Sequence, residues 1–73
     1  MPITIVPIGI VRLFVPEKSL PYEPELTVRQ LIERLDLPPA LNACGFVNGK
    51  RMNLNASVQD GDTIRVVSLM MGG

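Results

Sequence analysis

The sequence predicts an α+β domain: a mixed sheet of four to five strands with one helix packed across one face. Three observations carry this. A single segment has the start signal and spacing of an amphipathic helix, β-branched apolar runs lie on both sides of it, and 73 residues leave room for one core only. A chain of this size buries only about 60% of the surface its unfolded form exposes, and a lone Cys cannot close an intrachain disulfide, so packing must supply the stability.

The first run, Ile3-Thr4-Ile5-Val6-Pro7-Ile8, is β-branched and apolar, which suits a strand that frays or bulges where Pro7 removes an amide donor. After Gly9 the stretch Ile10-Val11-Arg12-Leu13-Phe14-Val15 is apolar apart from Arg12, and Ser19-Leu20-Pro21-Tyr22-Glu23 reads as a shorter strand, closing a wide hairpin. Thr27 followed by Gln30 is a capping box, in which each side chain satisfies an amide left unpaired at a helix start. Val28, Leu31, Ile32 and Leu35 then follow the i, i+3, i+4, i+7 spacing until Pro38-Pro39 forbids continuation. A helix of roughly ten residues spans about 15 Å, enough to cover one face of a small sheet.

Beyond the helix, Gly45-Phe46-Val47 leads into Asn48-Gly49, the dipeptide suited to the two positive-φ positions of a type I′ hairpin, with Lys50-Arg51-Met52 returning. Asp60-Gly61-Asp62 is a turn signal, and Thr63 to Leu69 is the last strand. The predicted order is ββαβ(β)β. One helix covers one face, so the other must meet solvent or a partner. Side chains alternate along a strand: if Ile64 and Val66 face the helix, then Arg65, Val67 and Leu69 point to the uncovered side, and Phe46 joins them if Val47 packs inward.

Composition narrows the function. Seven Lys plus Arg balance seven Asp plus Glu, which argues against nucleic acid and against a charged membrane surface as partners. The N-terminal run from Met1 to Val11 falls short of the roughly 18 apolar residues that span a bilayer, and it lacks the features of a signal peptide. A cytoplasmic location is expected. The absence of His removes imidazole acid/base chemistry and, with Cys44 isolated, any Cys/His zinc set, so no catalytic residue and no metal site are expected. Asp60 and Asp62, flanking Gly61, read as turn formers, and Cys44 reads as a small apolar residue.

The chain end is the feature that stands out: Leu69-Met70-Met71-Gly72-Gly73. With Gly at about 7% of average composition, two terminal glycines arise by chance in about one chain in two hundred. Having no Cβ, Gly72 and Gly73 can thread a narrow channel and bring a carboxylate onto a nucleotide phosphate. The Gly73 carboxylate is therefore the candidate reactive group.

The element order, together with Gly9 and Arg12 after the first strand, Thr27-Val28-Arg29-Gln30-Leu31-Ile32, Val47-Asn48-Gly49, Asp60-Gly61-Asp62 and Gly72-Gly73, resembles the ubiquitin-like β-grasp sulfur carriers of the MoaD/ThiS group. The resemblance spans nearly the whole chain. It implies one β-grasp domain over residues 1–73 with a flexible Gly-Gly tail, and an E1-like, ATP-dependent enzyme that adenylates Gly73. A sulfur donor would then convert the glycyl-adenylate to a thiocarboxylate (1-thioglycine), and a sulfur-accepting enzyme of molybdopterin- or thiamine-type biosynthesis would receive the sulfur. No bound cofactor is implied. Met70, Met71 and Gly72 would thread the partner's active site, and Phe46, Arg65, Val67 and Leu69 would form the docking face. The alternative is a ubiquitin-like modifier joined through Gly73 to lysines; a plain interaction module is a third reading.

Overall fold

A computed structural model of the chain describes residues 1–69. Met70, Met71, Gly72 and Gly73, to which the tail expectations refer, lie outside the described residues. Five strands form one sheet: β1 (Ile3–Pro7), β2 (Lys18–Leu20), β3 (Ala43–Val47), β4 (Lys50–Arg51) and β5 (Thr63–Ser68), in the spatial order β2-β1-β5-β3-β4. The helix α1 (Val28–Arg34) comes after β2 in the chain. β1 and β5 pair in parallel at the centre, and the other pairs are antiparallel. This is the mixed sheet with one covered face, in α+β arrangement, that the sequence predicts.

Pro7 is tolerated because of the ladder's alternation. Thr4 and Ile8 donate their amides to Asp62 and Val66 on the β5 side, at 3.0 and 2.9 Å. Odd-numbered amides of β1 therefore face β2, whose pairing ends at Ile5, so the donor missing at Pro7 has no acceptor waiting for it. The apolar stretch after Gly9 forms no strand. It coils into a 3-10 turn, Gly9–Leu13, that buries Val11 and leaves Leu13 exposed. The strand expected over Ser19–Glu23 is shorter and earlier, at Lys18–Leu20, because Pro21 ends its ladder with β1.

The helix begins as expected. The Gln30 amide donates to Thr27 Oγ1 at 3.2 Å, and the Thr27 amide donates to Gln30 Oε1 at 3.0 Å. The next two amides are satisfied from outside the helix: Val28 donates to the Ala56 carbonyl and Arg29 to that of Leu54, at 3.0 and 2.9 Å. At its other end the helix is shorter than the predicted ten residues. Leu35 caps it and Asp36 turns left-handed at φ 55°, so the reversal precedes Pro38-Pro39. The core lies between α1 and the sheet, built from Ile3, Ile5, Ile64 and Val66 below and Val28, Leu31 and Leu35 above, with Val11, Val15, Leu26 and Val58 closing its ends.

Candidate docking face of the sheet

Strand register decides which side chains share the face away from α1. Gly45 lies under the helix: a Cβ there would stand 3.2 Å from Val28 Cγ1 and 3.1 Å from Ile64 Cγ2. Its neighbours Cys44 and Phe46 therefore point to the opposite face. Val47 packs against the core, as expected when Phe46 faces outward. Phe46 pairs with Arg65 on β5 and with Arg51 on β4, and Arg65 pairs in turn with Val6 on β1. The result is a row across the sheet: Val6, Arg65, Phe46, Arg51. Cys44 opposite Val67 forms the next row on that face.

All four residues predicted for this face are found together. Phe46, Val67 and Leu69 are half-buried, none of them belongs to the set packed against the core, and Arg65 is exposed. Leu69 continues the line of β5, with its amide donating to the Asn42 carbonyl at 3.2 Å. Ser68, on the helix side, is held by its hydroxyl donating to the Leu41 carbonyl at 2.6 Å. The last described residue before the tail is thus anchored beside the open face.

Arg51 and Val6 belong to the same row, and the sequence reading did not include them. The signal for Arg51 is in the sequence: a two-residue turn at Asn48-Gly49 makes Val47 and Lys50 the first pair and Phe46 and Arg51 the next. Asn48 and Gly49 have φ of 53° and 79°, as that turn requires. Val6 could not be placed this way, because its alignment with Arg65 depends on a parallel pairing between strands far apart in the chain.

Charge on the sheet is one-sided. The five strands contain Lys18, Lys50, Arg51 and Arg65 and not one carboxylate, while the seven Asp and Glu lie in loops and on α1. Cys44 is 2% exposed, and burial pushes its thiol above the ordinary value, with Arg51 opposing the shift in part. The thiol is therefore protonated at neutral pH, unsuited to attack. Among the described residues, no three His, Cys, Asp or Glu side chains gather as a metal site, and no helix is long and apolar enough to cross a membrane.

The fold is that of a solved archaeal protein. The chain is similar to Caldiarchaeum subterraneum ubiquitin, at 24% identity and a TM-score of 0.71, with 100% of this chain and 98% of that one covered. No family model and no curated protein matches the chain. The fold is a ubiquitin-like β-grasp.

Proposed function

We propose that the protein is a sulfur carrier that docks its adenylating enzyme through the open sheet face and presents Gly73 for activation. The observation that supports this most directly is the course of β5. The central strand carries Arg65 and Val67 on the uncovered face and ends at Ser68, so docking residues and the reactive terminus belong to one stretch of chain. From Ser68, five residues extended reach up to about 16 Å, the scale needed to enter a neighbouring active site.

The chemistry has to come from the partner. A terminal carboxylate, with an ordinary pKa near 3.5, is ionised and unreactive at neutral pH. Attack of that carboxylate on the α-phosphate of ATP forms the acyl-adenylate and releases pyrophosphate. Hydrosulfide released by the sulfur donor then adds at the carbonyl carbon and AMP leaves, which yields the thiocarboxylate. The protein's own part is to hold Gly73 in place.

A second reading, a protein modifier joined through Gly73 to lysines, is supported by the likeness to an archaeal ubiquitin over the full chain. Both readings need adenylation and differ in the acceptor of the activated glycine. The deciding experiment is intact mass spectrometry after incubation with the cognate adenylating enzyme, ATP and a sulfur donor. The carrier gains about 16 Da, one oxygen replaced by sulfur at the terminal carboxyl. A variant lacking Gly73, or extended by one residue, gains nothing; a gain in either overturns the proposal. In lysate of the native cell, Gly-Gly-lysine adducts more abundant than the thiocarboxylate establish the modifier instead.

A further inference from the structure

A concavity of about 460 Å³ lies at the sheet edge and is lined by Arg29, Cys44, Arg51, Met52, Asn53 and Leu54. Its walls come chiefly from the first turn of α1, the edge strand β4 and the segment after it, and backbone hydrogen bonds tie them together. Arg29 donates its amide to Leu54, Met52 donates to Gly45 at 2.8 Å, and Asn55 donates its amide to Asn53 Oδ1 at 2.8 Å. The shape therefore exists before any partner arrives.

Its charge is uncompensated. Two guanidiniums line the groove and no carboxylate does. Neither Arg29 nor Arg51 enters an ion pair among the described residues; the two found there join Met1 to Asp60 and Arg34 to Glu23. The side-chain partner of Arg29 is a neutral acceptor, Asn55 Oδ1, at 3.4 Å. The α1 amides are not free to serve an anion, because Ala56, Leu54 and Thr27 already occupy them. Recognition must come from the side chains.

Beside the cations, Cys44, Met52 and Leu54 give the lining apolar surface, and Asn53 adds a neutral polar side chain. Met52 and Leu54 are half-buried, packed on one side against the core. A small inorganic anion would meet the guanidiniums and leave this surface wet, whereas an extended peptide presents carboxylate and aliphatic side chains by turns. We propose that the groove binds an acidic, aliphatic-containing segment of a partner protein, with Arg29 and Arg51 taking its carboxylates and Met52 and Leu54 its apolar side chain. This inference does not depend on sulfur transfer; the groove shares Arg51 with the row that contains Phe46, whereas Arg29 lies apart from that row.

The test is an amide chemical-shift titration of the full chain with the blocked pentapeptide Asp-Leu-Asp-Leu-Asp. Saturable shifts centred on Arg29, Met52, Asn53 and Leu54 are expected. Arg29→Gln and Arg51→Gln, each confirmed as folded by its amide spectrum, should each weaken binding about tenfold, the scale of one charge-assisted hydrogen bond. The Asn-Leu-Asn-Leu-Asn peptide should bind the unaltered chain no more tightly than either variant binds the acidic peptide. Absence of saturable shifts, shifts centred on Val67 and Leu69, unchanged affinity in Arg29→Gln, or sodium phosphate binding as tightly as the peptide would each overturn the proposal.

Discussion

Gly45 shows how one position sets the distance between two layers. It sits under α1 without a side chain, and the two atoms nearest to an added methyl would belong to Val28 and Ile64, both fully buried and unable to retreat. Gly45→Ala recovers about 0.4–1 kcal/mol by restricting the unfolded chain, against an overpacking cost of about 1–3 kcal/mol. A net loss of roughly 1 kcal/mol is expected, read as a lower urea midpoint with unchanged slope. Glu23 supplies a pH-dependent counterpart. Its oxygens accept from Arg34 at 2.6 and 3.3 Å, and that hydrogen bond, together with the weaker attraction of the guanidinium charge, holds the carboxyl below its ordinary 4.5. A depressed folded-state pKa stabilises above the unfolded value and is lost as pH falls through the folded one, so the pair acts above about pH 4.5. Both partners are exposed, so the effect on stability is small. NMR titration should place Glu23 below 4.5, and Arg34→Gln should return it there.

The helix start and the Asn48-Gly49 turn are the elements with the clearest local cause. Thr27 ties the first turn of α1 through a reciprocal cap, while the segment after β4 supplies the carbonyls for the two amides between. Thr27→Ala removes the acceptor for the Gln30 amide and should cost about 1 kcal/mol in thermal or urea unfolding. Because that first turn also fixes the Arg29 wall of the edge groove, the same variant is expected to raise amide exchange at Met52 and Ala56, whose amides donate to Gly45 and Asn53. Exchange altered only within α1 would show that the groove wall is held independently. The 3-10 turn after β1 has no comparable local signal: its apolar residues suit a strand as well as a coil, and burial of Val11 selects the coil.

For the molecule as a whole, zero net charge conceals a separation: the sheet carries cations and no anions, and every anion lies in the loops or on the helix. A docking partner for the open face is therefore expected to present apolar contacts bordered by acidic groups, with association that weakens as salt rises. If the protein is the proposed carrier, Phe46→Asp should reduce binding to its proposed adenylating enzyme by about 2 kcal/mol or more, measured by titration calorimetry, with the circular dichroism spectrum unchanged, since Phe46 is not among the residues packed against the core. Removal of Gly73 should do the reverse, sparing docking while abolishing adenylation. Unfolding of Phe46→Asp would place Phe46 among the structural residues, and normal binding by the folded variant would move the docking surface elsewhere.

Local physics made much of this protein legible from its residues alone. The capping box at Thr27, the turn at Asn48-Gly49, the alternation through Ile64, Arg65, Val66 and Val67, and the terminal Gly72-Gly73 all depend on neighbours a few positions apart. They suffice for the α+β class, the element order and the candidate reactive end, whereas the outward direction of Phe46 follows only once Val47 is seen packed against the core. Other features required distant segments to meet. The parallel pairing of β1 with β5 sets Val6 beside Arg65. The edge groove brings Arg29 of the helix to Arg51 of β4, with the whole of β3 between them in the chain. Periodicity reports which face of its own element a side chain takes; only the packed tertiary structure decides which other elements that face will meet.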